Sequence, residues 1–331
     1  MSERIGIAII GCGGIAQAHL ESLGEIDDFR IVATVDVIEE RAKEYASKYK
    51  AERYYTSIDE ALEDPEVEAV SICLPHYLHS PVAVAAAKAG KHILVEKPMA
   101  ISLKEADEMI KTADENDVTL MVEQTLRFRN CNILTKKLIR EGRIGKVCNV
   151  IRRRLSFSKS FPSEWSRRPE QSGGWVLYGY GSHSVDLVLW VLDANPVHVF
   201  AYGVKNNPYW NDYDEVSIMM KMDNGAIASI LHSLNYQQEY TWDLTVIGTE
   251  GSILVKEGKS VQIGDEILET PIDNTQKVYA ALKEFARAIK EEREPEASGR
   301  NVRRTMLALE AAKISMEKKI AVDVKDLPNL P

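Results

Sequence analysis

Over roughly the first 120 residues, short apolar runs alternate with amphipathic stretches, the pattern of parallel strands covered on both faces by helices. The period-two and continuous apolar runs predict strands over Ile5–Ile10, Arg30–Val35, Arg53–Tyr55, Ala69–Leu74 and His92–Val95, with a sixth over Thr119–Glu123. Between them the helical period predicts Ile15–Leu23, Glu39–Tyr49, Ile58–Glu63, Pro81–Ala89 and Leu103–Asn116. Gly90 reads as a stop signal, and Ser102 with Glu105 as a capping box. Strand and helix in this order predict an α/β doubly wound parallel sheet.

Past residue 125 the pattern changes. Longer β-branched runs, Val147–Arg154, Val197–Val204, Val216–Met222, Ala226–Leu234 and Thr241–Ile247, follow one another with turn signals such as Asp223-Asn224-Gly225 and no helices between them. They predict a large, mostly antiparallel sheet, closed by helices over Lys277–Glu292 and Val302–Glu317. The expected domains are 1–124 and 125–331, with C-terminal residues able to pack back on the first.

Composition narrows the class. A chain of 331 residues and 37.1 kDa with net charge −9 and pI near 5.4 repels phosphate backbones and anionic membrane surfaces, so neither nucleic acid nor membrane is an expected partner. At 45% hydrophobic and 27% charged it is an ordinary globular composition. Cys12, Cys73, Cys131 and Cys148 form no CxxC pair and read as reduced thiols in a cytoplasmic protein; the N-terminus shows no signal-peptide pattern.

The first chemical motif is Gly11-Cys12-Gly13-Gly14-Ile15-Ala16, a GxGxxA sequence directly after a predicted strand and opening a predicted helix. Gly11 permits a tight turn, Gly13 lets backbone approach a pyrophosphate, and Ala16 permits close helix packing. Asp36 ends the second strand about 20 residues on, where a carboxylate accepts hydrogen bonds from an adenosine ribose. With Val37 and Ile38 after it and no adjacent arginine, NAD is expected in preference to NADP, although Arg41 lies not far off.

Two further signals carry reactive groups. Val95-Glu96-Lys97-Pro98 ends a strand, the edge where ligands sit in such sheets; Lys97 there is either a solvated charge or a group that orients and polarises a hydroxyl. Gly173-Gly174-Trp175-Val176-Leu177-Tyr178-Gly179-Tyr180-Gly181-Ser182-His183 leads into an apolar helical run, where His183 is either a packing residue or a base titrating near neutrality. Arg152-Arg153-Arg154 alternates along a strand, with Arg152 and Arg154 on one face. If that face meets a pocket, a carboxylated or phosphorylated substrate is implied; otherwise the run is an edge or interface device.

Taken as an ordered set with Cys73-Leu74-Pro75-His76-Tyr77-Leu78-His79, Arg127-Phe128, Glu141-Gly142-Arg143-Ile144-Gly145 and Gly248-Thr249-Glu250-Gly251-Ser252, these motifs resemble the glucose-fructose oxidoreductase, inositol dehydrogenase and rhizopine-catabolism group, Gfo/Idh/MocA, over nearly the whole chain. The resemblance implies a Rossmann domain holding NAD and a C-terminal α/β domain whose open sheet mediates homo-dimer or tetramer contacts. It implies sugar, sugar-derivative or cyclitol substrates. Residue by residue, Lys97 looks like the substrate-orienting lysine and His183 like the acid/base histidine. Leu74, Pro75, His76, His79, Glu96 and Tyr279 look like cofactor-lining positions. Arg127, Trp165, Trp175, Tyr178 and Tyr180 are the remaining candidate substrate contacts, and no metal is expected, although His76 and His79 have a ligand-like spacing.

One departure bears on substrate. Many members read DxGxHxxD, but the first aspartate position is Gly179 here, while Asp186 retains the last; Trp175 stands where a third glycine is common. The resemblance thus implies hydride transfer between a secondary alcohol and nicotinamide. Its alternatives are a glycosidase using NAD for transient oxidation and a non-catalytic dinucleotide-binding sensor.

Overall fold

The computed structural model describes residues 4–272 and 277–327. These divide into two compact units, the first of residues 4–100, 104–125 and 277–302, the second of 101–103, 126–272 and 303–327. The Rossmann-type sheet of the first unit has six parallel strands, β1 (Ile5–Ile10), β2 (Phe29–Val35), β3 (Arg53–Tyr55), β4 (Ala69–Ile72), β5 (His92–Val95) and β6 (Leu120–Val122), in the order β3-β2-β1-β4-β5-β6. The reversal beside β1 is the switch point at which such sheets open a crevice for ligands.

Every residue of β1 and β4 is buried, because helices cover both faces. Those helices are α1 (Gly14–Leu23), α2 (Glu39–Tyr49), α3 (Ile58–Glu63), α4 (His79–Lys88) and α5 (Leu103–Glu115). Residues 277–302 belong here too: Phe285 of a later helix stacks on Phe29 at 6.2 Å, and Met121 bridges Ser298.

The second unit opens with α6 (Asn130–Arg140), which the apolar pattern did not announce, and continues through β7 (Val147–Leu155), α7 (Pro169–Ser172) and α8 (Gly181–Leu192). There follow β8 (Pro196–Val204), β9 (Glu215–Met222), β10 (Ile227–Ser233), β11 (Thr241–Gly248), β12 (Ser252–Lys256), β13 (Ser260–Ile263) and β14 (Glu266–Glu269). Then come α9 (Val278–Lys290) in the first unit, α10 (Gly299–Lys318), and β15 (Val322–Asp323) back in the second. The strands form one nine-stranded sheet, β14-β13-β12-β11-β7-β10-β9-β8-β15, antiparallel except where β7 runs parallel to β10. The Asp223-Asn224-Gly225 turn joins β9 to β10, with Gly225 at φ +90.

Burial alternates along β9 and β10, so one face is core and the other open. Strand register puts Ile151, Met219, Leu231 and Tyr202 together on the open face, each more than a third exposed. Because β7 lies in the middle of the sheet, its arginine run is not an edge device. All four cysteines are free thiols, three of them buried. Among the described residues no helix is long and apolar enough to cross a membrane.

Candidate active site

In the first unit the glycine loop is built for a close backbone approach. Gly11 sits at φ +96, and a Cβ there would come within 2.7 Å of the Cys73 carbonyl, so only glycine fits twice over. Gly13 and Gly14 have open space where side chains would stand, Cys12 and Ala16 are buried, and Ile15 is exposed beside them. At the end of β2, Asp36 is held in place by the chain itself. The Cys12 N–H donates to Oδ2 and the Ile38 N–H to Oδ1, both at 2.9 Å. An open, amide-lined turn next to an anchored carboxylate at a strand end fits the pyrophosphate and ribose of NAD.

The next strand ends frame this loop. Leu74 and Pro75 are half-buried, and His76 begins a short 3₁₀ turn with its side chain 4% exposed. His79, expected to line the cofactor, lies inside the fold. It is fully buried, with Nδ1 2.7 Å from the Pro98 carbonyl and Nε2 2.9 Å from the Leu74 carbonyl, so it ties two strand-end loops together rather than facing a ligand. Burial pushes its pKa below the usual histidine value despite those two carbonyls. Lys97 follows β5, half-buried, with a cis bond to Pro98 and its N–H donating to Glu96 Oε2 at 3.1 Å. Tyr279 is the second residue of α9, half-buried.

Beneath Lys97 lies a cluster that the sequence did not reveal. His19 of α1 places Nε2 2.6 Å from Glu123 Oε2 and 3.2 Å from Glu96 Oε1, while Nδ1 meets Ser71 Oγ at 2.8 Å. Burial raises the Glu96 carboxyl, but the His19 hydrogen bond and charge more than reverse this and hold it down at about 2. Burial pushes Glu123 up to about 7. Burial alone would depress His19, yet Cys73 and Glu123 hold it well above the ordinary histidine value. Below about pH 7 the cluster therefore holds an imidazolium, one carboxylate and one carboxylic acid, which leaves no net charge in the core. His19, one turn past Ala16 on the helix of the glycine loop, was the available signal.

In the second unit two glycines of positive φ, Gly173 at +74 and Gly174 at +99, turn the chain into one turn of π-helix over Trp175–Tyr180 that runs on as α8. His183 stands in the first turn of α8, half-buried. A Cβ on Gly179 would lie 3.2 Å from the Trp175 indole. A side chain at 179 would therefore press on the tryptophan ring and require it to shift by a few tenths of an ångström. Trp175 meets Trp165 edge-on at 5.7 Å and Tyr180 at the same distance, an aromatic wall beside the His183 helix.

Two residues expected to contact substrate lie inside the second unit. Arg127 is 1% exposed and forms a two-pronged pair with Asp186, and Tyr178 is fully buried with its hydroxyl donating to Glu310 Oε2 at 3.2 Å. Both are internal braces of the second unit. The alternation of β7 holds as read: Arg153 pairs with Asp243 on the open face, while Arg152 and Arg154 point to the helix-covered face that carries His232.

Family models match along most of the chain. Residues 5–124 match the oxidoreductase family with NAD-binding Rossmann fold, and residues 133–254 match the GFO/IDH/MocA C-terminal domain. Myo-inositol 2-dehydrogenase of Thermotoga maritima is 29% identical, the match covering 97% of this chain and 99% of the relative. The 4-carboxy-2-hydroxymuconate-6-semialdehyde dehydrogenase of a Sphingobium species is 28% identical over 95% and 99%. A crystal structure of a probable dehydrogenase from Thermotoga maritima superposes with TM-score 0.84 at 28% identity, covering 97% of this chain and 99% of that one.

Proposed function

The chain belongs to the Gfo/Idh/MocA family of NAD-binding oxidoreductases, and on that footing we propose that it oxidises a secondary alcohol of a sugar, sugar derivative or cyclitol, with Lys97 and His183 as its catalytic residues. The observation that carries this reading is the pair of conformations the chain builds at its motifs. Lys97 stands at the carboxyl end of β5 with its turn anchored through Glu96, and His183 stands in the first turn of α8 beside an aromatic wall.

In this reading Gly11, Cys12, Gly13, Gly14, Ile15 and Asp36 hold the dinucleotide, and the bound nicotinamide supplies a two-electron acceptor. The Lys97 ammonium donates a hydrogen bond to the substrate hydroxyl oxygen, fixing it and favouring loss of its proton. The His183 imidazole accepts that proton as general base and returns it in the reverse, reducing direction. Trp165, Trp175 and Tyr180 present apolar ring surface to the C–H face of a pyranose or cyclitol ring. The apolar open face of the large sheet, with Ile151, Met219, Leu231 and Tyr202, supports assembly into a homo-oligomer.

The test is absorbance of reduced nicotinamide when the protein meets NAD and a panel of inositols, aldoses, uronic acids and sugar phosphates, with product analysis alongside. Net NADH and a ketone product are expected with one compound class. Sugar release without net NADH would replace dehydrogenation by transient redox, and cofactor binding without any turnover would favour a sensor.

A further inference from the structure

Resting on the dehydrogenase reading above, we propose that the second unit carries an anion-binding subsite beside the His183 helix, centred on the Arg154 guanidinium, and that the substrate is a sugar acid or sugar phosphate rather than a neutral polyol.

The subsite begins with register. On the helix-covered face of the sheet Arg154 lies between His232 of β10 and Trp242 of β11. Two residues back, Arg152 is fully buried, and Arg129 joins it from the start of α6. A single carboxylate serves these cations: Glu257 accepts from Arg129 at 2.9 Å and from Arg152 at 3.0 Å, one oxygen each. Arg154 has no acidic partner among the described residues. Arg129 and Arg152 thus share one carboxylate, and Arg154 beside them adds a third guanidinium. In a water-poor setting such an excess is costly unless an anion completes it.

The donors match that deficit. Arg154 Nη1, Arg152 Nε and Arg152 Nη2 are all shielded from solvent and have no hydrogen-bond partner. A buried donor without an acceptor is costly, so three in one cluster form a donor set that lacks its acceptor. His232 reports the same field. Burial first, then Arg154 and Arg152, push it down to about 3, so it stays neutral, with Nε2 2.9 Å from Ser184 Oγ on α8.

Arg154 reaches the proposed reaction site through one ring. Its guanidinium lies 3.3 Å from the Tyr180 ring centroid, and Tyr180 is the residue immediately before α8. Gly179 leaves the same turn without a side-chain charge that would repel an anionic substrate. Beyond Arg154 the chain continues to Ser156 and Phe157, which with Gln237, Gln238 and Tyr240 line an open surface groove. The Tyr240 ring also lies 5.9 Å from the Arg154 guanidinium.

The experiment compares kcat/KM on the NAD-loaded enzyme for D-glucuronate against D-glucose, D-galacturonate against D-galactose, and D-glucose 6-phosphate against D-glucose. At least one anionic member is expected to be favoured about tenfold or more, and Arg154→Gln to cut that preference by a similar factor. Arg154→Lys, which keeps the charge but not the fork, should fall between. The uronates and the phosphate separate the two sources of charge. In the wild type, raising sodium chloride from about 0.05 to about 0.5 M should raise KM for the anion and leave the neutral sugar unmoved, a readout that stands even if Arg154→Gln fails to fold. Preference for the neutral member in every pair, or an unchanged ratio in a folded Arg154→Gln, overturns the proposal. If neither member yields NADH, it is the dehydrogenase reading that fails. Calorimetric binding of D-glucuronate and D-glucose 6-phosphate then decides the subsite: binding lost in Arg154→Gln upholds it, and equal or absent binding overturns it.

Discussion

Arg127 and Asp186 are joined by two parallel hydrogen bonds in a space sealed from solvent, Nε to Oδ2 at 2.8 Å and Nη2 to Oδ1 at 2.6 Å. Thr305 adds a third bond to Oδ1 at 3.1 Å. The pair ties the 3₁₀ turn over Thr125–Phe128 to α8 and so fixes the helix on which His183 stands.

Breaking this pair strands a buried charge. Asp186→Asn or Arg127→Met should lower unfolding stability by about 3–5 kcal/mol, read from urea denaturation. The double variant Arg127→Met/Asp186→Leu should recover part of that loss, because no charge is then left unpaired. A single variant as stable as wild type would show that the pair does not brace the unit.

Much of this arrangement was legible in the chain. The six strands of the first sheet, the glycine loop and the Asp36 strand end follow from apolar runs and turn chemistry close together in sequence. Arg127 and Asp186 did not show their relationship, because they lie 59 residues apart and each reads alone as a polar site residue. His19, Glu96 and Glu123 were opaque for the same reason: their pairing depends on three strand and helix ends converging, and local pattern carries no trace of it. The β12–β14 meander is short and partly exposed, so its period-two signal is weak.

The anchored Asp36 carboxylate predicts cofactor choice. Hydrogen bonds to a charged group are worth about 1.5–3 kcal/mol, so Asp36→Ala should raise KM for NAD by about 10- to 150-fold. It should raise KM for NADP less, since the negative charge that opposes a 2′-phosphate leaves with it. Initial rates with each cofactor measure the ratio; an unchanged NAD-to-NADP preference would remove Asp36 from the ribose site.

Lys97→Met and His183→Asn should each lower kcat by about 10²–10⁴, the usual range for a positioned proton-transfer group. NAD binding, followed by quenching of tryptophan fluorescence, should persist in both. Wild-type turnover in either variant would unseat the role assigned to that residue.

The buried His19–Glu96–Glu123 cluster predicts how stability varies with pH. Glu123 holds its proton up to about pH 7 in the folded state but releases it near the ordinary carboxylate value, 4.5, when unfolded. Its contribution is therefore fully present below pH 4.5 and is lost as pH rises through about 7. Glu96 acts with opposite sign, its contribution being present above pH 4.5 and lost as pH falls through about 2. His19, raised by its neighbours, follows the sign of Glu123, losing its contribution as pH rises through its folded value. Glu123→Gln removes the middle titration and one of the groups that raises His19, while glutamine keeps a neutral, hydrogen-bonding side chain at every pH. Relative to wild type, the variant should gain on the order of 2–3 kcal/mol between about pH 5 and 8, read from urea midpoints at the two values. A stability difference that stays constant across that range would mean that Glu123 does not hold the cluster's extra proton.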